Sequence, residues 1–300
     1  MPQAGVDCIL NAASGGREKE KLRVLIAEQF RSHGVEPKIF LARSGAELNA
    51  LARRAQTSDS PTVVAAGGDG TVNAVASALL GTDKSLGVLP VGTFNYFAKN
   101  LGIPLDVPGA IANVARCHTT EVDVGEVNGR IFLNNSSVGL YPSIIRQREQ
   151  EYRRWGRRQL VAYAAVARTL FQRSPFLGLR LTTEEEEISA RTPLVFVGSN
   201  RFQIEEFDLP GQRCVKRGEL AIYVARPTGW SGLVWLAMQA LLGRLRGERR
   251  LQVLCAKEAR LETRRRRLPV ALDGEVFVLE TPLRFAARPG ALRVIVPEVV

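Results

Sequence analysis

The chain has 300 residues, enough for one large domain or two ordinary ones, and its 45% hydrophobic and 24% charged residues exclude long disordered stretches. Forty-one Lys and Arg against 30 Asp and Glu give a formal charge of +11, so an anionic partner is expected: nucleic acid, an acidic membrane surface or phosphorylated small molecules. Cys8, Cys117, Cys214 and Cys255 stand far apart without a CxxC or Cys/His cluster, and His33 and His118 are the only histidines. That pattern argues against a zinc site and for a reduced, cytosolic interior. The N-terminus has no basic region followed by a long apolar core, and so does not read as a signal peptide. The longest apolar segment, Trp230–Leu242, falls short of the roughly 20 residues that span a bilayer. The expectation is a soluble protein that can touch a membrane.

In chain order, Val6–Leu10 predicts a strand that runs into the small-residue turn Asn11-Ala12-Ala13-Ser14-Gly15-Gly16 and a helix over Glu18–Ser32. Lys38–Leu41 predicts a second strand and Ala46–Ala55 a second helix. The apolar run from Val63 enters Gly67-Gly68-Asp69-Gly70-Thr71, after which Val72, Val75, Ala76 and Leu79 recur at helical spacing. Glycines there let the backbone approach a ligand, and a helix N-terminus offers N–H donors and partial positive charge, so phosphate is the natural guest. Asp69 would repel phosphate unless a divalent metal or a cationic group lies between them. The plainer alternative is a tight strand–helix turn. Leu86–Pro90 and Val91-Gly92-Thr93-Phe94-Asn95 lead into another helix, Tyr96–Leu101. Four β-then-α units imply a parallel sheet with helices on both faces, with all three glycine turns at the strands' C-terminal ends.

The rhythm changes near Glu121. Val122–Val127 and Arg130–Asn135 flank Asn128-Gly129, a two-residue hairpin signal. Strand-like runs follow at Leu177–Thr182, Leu194–Val197, Leu220–Val224, Leu251–Ala256, Arg260–Thr263, Val270–Leu272 and Val276–Leu279, with Glu184–Glu187 as a solvated hairpin tip. Leu292–Val296 predicts a last strand. The division expected is an α/β domain over 1–120, a β-rich domain over 121–285, and a candidate return to the first domain over 286–300. Two helices interrupt the β region. Arg157–Gln172 is preceded by an arginine-rich stretch, Arg146–Arg158, and Trp230–Leu245 overlaps a second one, Arg244–Arg250. Each couples apolar bulk to arginine, a combination suited to an acidic membrane or, alternatively, to a helix with a buried face and a solvated one. Aromatics are not interleaved with the basic residues, so nucleic acid is not expected.

Leu272-Asp273-Gly274-Glu275 stands between two β-like runs. Two carboxylates one residue apart on an extended segment point the same way, but the glycine suggests a bulge or bend, and Asp-Gly is also a common turn pair. Beside the Gly67–Thr71 loop it suggests a cross-domain phosphoryl-transfer site, in which a carboxylate accepts the proton of an attacking hydroxyl.

Taken in order, Gly67-Gly68-Asp69-Gly70-Thr71-Val72-Asn73, Leu89-Pro90-Val91-Gly92-Thr93-Phe94-Asn95 and Leu272-Asp273-Gly274-Glu275 resemble the diacylglycerol-kinase catalytic family, which includes bacterial lipid kinases and sphingosine and ceramide kinases. Asn11–Gly15 is similar to its Asn-Pro-x-Ser-Gly turn, with Ala12 in place of proline, and Glu121–Gly125 with Phe132-Leu133-Asn134 is similar to its domain-crossing segment. The resemblance implies a nucleotide-binding α/β domain followed by a β-sandwich lipid domain, and an ATP-dependent lipid kinase acting on diacylglycerol or a related lipid. It places Asn11, Ser14 and Gly15 near the nucleotide. Gly67, Gly68, Asp69, Gly70, Thr71, Asn73, Thr93 and Asn95 would lie around its phosphates and a magnesium ion. Asp69 would act through magnesium or water, and Asp123 would join the metal and water network. Glu275 matches the residue assigned as proton acceptor, with Asp273 its partner or the base itself. The resemblance further implies a lipid substrate and peripheral, cytoplasmic attachment to the membrane; a homodimer is left open.

Two departures stand out. The family has Asn-Asp-Phe-Ala-Arg where this chain has Asn95-Tyr96-Phe97-Ala98-Lys99, so a carboxylate is missing and arginine has become lysine, a poorer bidentate clamp. Bacterial members carry an acidic Asp-Asp-Gly where Lys216-Arg217-Gly218 stand here. A second, structural magnesium is therefore expected to be absent, with Arg217 supplying positive charge instead. The competing readings are a nucleotide-binding regulator that has lost catalysis and another small-molecule kinase such as an NAD kinase; the latter family lacks the Leu-Pro-Val-Gly-Thr-Phe-Asn turn.

Overall fold

The apolar runs of the N-terminal third form short parallel strands, each left through a turn that leads to a helix. In the computed structural model, residues 5–12, 16–155, 176–200, 204–205, 209–226, 232, 235, 239 and 251–298 are described. The chain divides into two units, Met1–Val124 with Pro289–Val300, and Gly125–Arg288.

In the first unit the order is β1 (Val6–Asn11), α1 (Gly16–Ser32), β2 (Pro37–Ala42), α2 (Gly45–Gln56), β3 (Thr62–Gly67), α3 (Asp69–Leu79), β4 (Ser85–Pro90), α4 (Tyr96–Asn100) and α5 (Val107–Arg116). The strands pair in the order β2-β1-β3-β4, all parallel. Chain returning at the C-terminus joins the β4 edge, also parallel, with Val294 opposite Leu86. β3 and β4 are buried along their whole length, as strands covered on both faces must be. Ile26 and Phe30 of α1 and Ile111 and Val114 of α5 close over Cys8, Leu10, Val64 and Leu89.

Helix starts divide into two kinds. Ser44 caps α2 by accepting the Glu47 N–H at 3.2 Å, while the Glu47 carboxylate accepts the Arg43 N–H at 2.8 Å. Asp106 caps α5 by accepting the Gly109 N–H at 2.7 Å. α3 and α4 have no side-chain cap.

The second unit is antiparallel. β5 (Thr119–Val127) enters it and turns through Asn128-Gly129, with φ of 47° and 78°, into β6 (Arg130–Phe132). Then come β7 (Asn135–Gly139), α6 (Leu140–Trp155), β8 (Leu177–Thr183), β9 (Glu187–Thr192), β10 (Leu194–Gly198), α7 (Gln212–Lys216), β11 (Leu220–Ala225), β12 (Leu251–Ala256), β13 (Glu258–Thr263), β14 (Arg267–Leu272), β15 (Glu275–Glu280) and β16 (Leu283–Ile295). One sheet runs β12-β11-β10-β7-β14-β15; in the other, β16, β13, β8 and β9 are neighbours. Leu181, Leu261 and Phe285 of one and Val195, Ile222 and Val270 of the other belong to a single apolar core.

Several expectations are corrected. Arg130–Asn135 is not one strand: it breaks after Phe132, because the next three N–H groups turn to a carboxylate described below. Glu187–Thr192 is a strand despite its polar sequence, since only alternate residues face the core. Leu140–Trp155 is a helix where the sequence suggested only an arginine-rich approach to one. The cysteines are not four reduced thiols: Cys214 and Cys255 form a disulfide, with Cα atoms 5.2 Å apart. The antiparallel β11–β12 pairing, which sets Ala221 against Cys255, supplies a proximity that 41 residues of separation hide. Cys8 and Cys117 are free; burial pushes the Cys8 thiol up to about 12, which leaves it inert. The helices expected at Arg157–Gln172 and Trp230–Leu245 lie outside the described residues, apart from isolated positions in the second.

Gly125 faces Phe132 across the β5–β6 pair, and a Cβ there would run into the fully buried ring. Gly125→Ala is expected to cost about 1–3 kcal/mol through overpacking. Thermal melting should show it, and adding Phe132→Leu should recover part of the loss.

Candidate active site

Parallel pairing places Gly67 beside Pro90 and Leu10 beside Ala66, so β1, β3 and β4 release their turns at one edge of the sheet. The turns after β3 and β4 are in backbone contact. A Cβ on Gly92 would run into the Cα of Gly68, and the Val91 N–H donates to the Gly67 carbonyl at 3.2 Å. A Cβ on Gly67 would run into the Thr71 side chain. Thr71 is buried, and its hydroxyl accepts the Asn11 amide at 2.9 Å, tying the end of β1 to the first turn of α3.

Asp69 is the first residue of α3, and its carboxylate accepts the Phe97 N–H of α4 at 3.1 Å. Asn95 has φ of 53°, a left-handed conformation that asparagine tolerates better than most residues. Its side chain accepts the Gly92 N–H at 3.2 Å and donates to the Pro90 and Gly92 carbonyls at 3.1 and 3.0 Å. Asn95, expected beside phosphate, therefore holds the shape of its own turn. Asn11, Gly67, Gly68, Asp69, Thr71, Gly92 and Asn95 are brought together. Gly70 lies in the first turn of α3; Asn73, four residues after Asp69, accepts the Ser77 hydroxyl at 3.3 Å. Thr93 is exposed on the turn after β4. Ser14 and Gly15 lie outside the described residues.

The sequence reading gave no role to the aromatic pair on this turn. Phe94, 55% exposed, stacks on Tyr96 with ring centroids 5.5 Å apart and planes 3° from parallel, and the Lys99 ammonium lies 5.6 Å from the Tyr96 centroid. An aromatic residue two positions from another across an asparagine was the available signal. Asp123, the other proposed metal residue, is exposed on β5 and accepts the Gly290 N–H at 2.8 Å. Among the described residues no group of three or more His, Cys, Asp or Glu could hold a metal ion.

In the second unit the alternatives at 272–275 resolve into a hairpin turn. Asp273 and Gly274 have φ of 46° and 88°, and Leu272 pairs with Glu275. The Asp273 carboxylate accepts three backbone N–H groups, from Leu133 at 2.7 Å, Asn134 at 2.8 Å and Asn135 at 3.0 Å, while its own N–H donates to the Asn135 carbonyl. Its role as acceptor of backbone donors was missed, because those donors lie about 140 residues earlier. Glu275 is exposed at the start of β15. Next to this staple, Asn200 donates to Asn134 at 2.6 Å, and both are buried. Arg217 pairs with Glu219 at 2.7 and 3.1 Å.

Asp273→Ala removes the acceptor of three N–H groups and is expected to cost about 2–4 kcal/mol. Glu275→Gln, on an exposed side chain, should leave the melting temperature close to that of the wild type. Thermal denaturation of the two variants side by side separates a structural carboxylate from a solvent-facing one.

A sequence profile of the diacylglycerol kinase catalytic domain matches residues 6–127. A Bacillus subtilis (strain 168) protein named diacylglycerol kinase is 34% identical over 134 residues, covering 44% of this chain and 44% of its own; over that stretch the chain thus spans less than half of the relative's length. A Pseudomonas aeruginosa protein described as "probable lipid kinase YegS-like" is 30% identical over 302 residues, covering 99% of this chain and 96% of its own. A solved structure titled "a putative diacylglycerol kinase from Bacillus anthracis str. Sterne" superposes with a TM-score of 0.77 at 22% identity, covering 98% of this chain and 97% of that one, which shows a shared fold. The full-length match to the Pseudomonas protein and the profile match over the cradle together establish that this chain belongs to the diacylglycerol kinase catalytic family.

Proposed function

We propose that the protein is an ATP-dependent lipid kinase that transfers the γ-phosphate to the hydroxyl of diacylglycerol or a related lipid. The observation that carries this reading is the backbone contact of Gly68 with Gly92 at the N-terminus of α3, a helix without a side-chain cap. Such a cradle lets a polyphosphate approach main-chain N–H groups and the positive end of a helix. Magnesium habitually takes one or two carboxylates and completes its shell with phosphate oxygens and water, and Asp69, at the start of α3, would be the carboxylate offered to it. When bound, ATP supplies the phosphoryl group and magnesium neutralises its charge.

The chain's own residues have separate tasks. Gly68, Gly70 and Thr71 hold the phosphates, with Asn11 fixing the Thr71 hydroxyl. Ser14, Gly15, Asn73 and Thr93 belong to the nucleotide side of the same proposal. Asp69, oriented by the Phe97 N–H, would hold the metal directly or through water, and Asp123 would join that water network. Glu275 accepts the proton of the lipid hydroxyl. Asp273 is assigned to positioning, because three N–H donors already occupy its oxygens. Arg146–Arg158 and Arg244–Arg250 attach the protein peripherally to an acidic cytoplasmic membrane; within these, Arg146 is exposed on α6.

A second reading, a nucleotide-binding regulator with lost or weak catalysis, is favoured by one observation: Tyr96 stacks on Phe94 where the family pattern has a carboxylate. The two part in a transfer assay with radiolabelled ATP, magnesium and mixed micelles of candidate lipids. Asp69→Ala and Glu275→Ala should each lower turnover by at least about a hundred-fold, and chelating the magnesium should abolish it. No transfer to any lipid by folded protein would sink the kinase reading; ATP binding that Glu275→Ala leaves intact would then support the regulator.

Both readings share a further expectation. Gly92→Ala forces the two turns apart and should weaken nucleotide binding by roughly ten-fold or more, the order expected for losing a few backbone contacts to phosphate. Titration calorimetry would measure this, with thermal melting to verify the fold.

A further inference from the structure

We propose that the β13–β14 turn, Thr263–Arg267, is an electrostatic docking surface for an anionic lipid bilayer. Arg264, Arg265, Arg266 and Arg267 are consecutive and all exposed. Their backbone is held in place. The Thr281 N–H donates to the Arg266 carbonyl at 3.1 Å, its hydroxyl donates to the Arg265 carbonyl at 2.6 Å, and the Arg265 N–H donates to the Thr263 hydroxyl at 3.4 Å. Arg267 pairs with Glu280 at 3.3 Å. Among the described residues, the guanidinium groups of Arg264, Arg265 and Arg266 meet no carboxylate. They border a surface recess of about 690 Å³ shared with Thr263, Thr281 and the Arg267–Glu280 pair, whose carboxylate is taken up by Arg267.

The chemistry selects the partner. Each guanidinium is a planar fork of N–H donors matched to phosphate oxygens, and three neighbouring forks without counter-ions match a surface of many phosphates better than one soluble anion. The turn contains no aromatic residue on which a base could stack and no apolar residue to insert. Contact would therefore be with headgroups alone, and sensitive to salt. This cluster is separate in sequence from the Arg146–Arg158 and Arg244–Arg250 stretches. The choice of a bilayer rests on the lipid-kinase reading, since such an enzyme must meet its substrate in a membrane.

The test is co-sedimentation of the full chain with phosphatidylcholine vesicles, with and without phosphatidylglycerol, for the wild type and for a variant carrying Arg264→Gln, Arg265→Gln and Arg266→Gln. At roughly a five-fold contribution per basic residue, the variant should bind anionic vesicles on the order of a hundred-fold more weakly, with binding to neutral vesicles unchanged. Added salt should weaken wild-type binding towards the variant's level. The variant should melt like the wild type and phosphorylate a water-soluble short-chain diacylglycerol equally well. Undiminished binding of the variant to anionic vesicles would overturn the proposal, as would tighter binding of the wild type to duplex DNA than to those vesicles at the same salt. Absence of transfer to any lipid would refute the kinase reading alone, because loss of vesicle binding in the variant is read without catalysis.

Discussion

The backbone contact between Gly68 and Gly92 is the constraint around which the candidate site is arranged. It exists because β3 and β4 are adjacent and in register, with Gly67 beside Pro90, so their turns leave the sheet at the same height. A side chain at Gly92 would force them apart, and one at Gly68 would press on Gly92. Once they touch, the other features follow. Thr71 is folded under Gly67, Asn11 reaches it from β1, Asn95 locks the second turn, and Asp69 accepts the Phe97 N–H of α4. α3 begins after Gly68 without the side-chain cap that α2 and α5 have, which leaves its N-terminus open to a ligand at this edge of the sheet.

Two carboxylates that look alike in sequence have different surroundings. Asp273 and Glu275 are separated by one glycine, yet the first is half-buried and accepts three backbone hydrogen bonds while the second is exposed. The three fixed donors give Asp273 an architectural part in the turn between β14 and β15, whereas Glu275 carries an exposed side chain.

The parts of this fold that the sequence made legible are those whose cause is local. Val63–Ala66 reads as a buried strand because it is uniformly apolar, and Asn128-Gly129 reads as a hairpin because two positive φ angles are needed there and those residues provide them. The illegible parts have distant causes. Nothing near Leu133 indicates that its N–H will meet Asp273, and nothing near Cys214 points to Cys255. Glu187–Thr192 is strand through its partner β8 rather than through its own composition. The same division runs through the site. Its glycines and acids were visible as motifs, whereas the organising role of Asn95 and the Phe94–Tyr96 stack depend on backbone geometry that the letters do not carry.

The last strand has a consequence for the order in which the protein can be made. β16 completes the antiparallel pairing of β13 with its first residues and extends the parallel sheet beside β4 with its last. During synthesis the nascent chain therefore carries segment 133–135 without its carboxylate until Asp273 has emerged, and β4 without its further neighbour until β16 has emerged. The cradle residues are translated in the first third, but the sheet edge beside them closes only when the C-terminal strand arrives. A product truncated before β16 would thus expose a bare β4 edge, and completion of both units waits for that one strand.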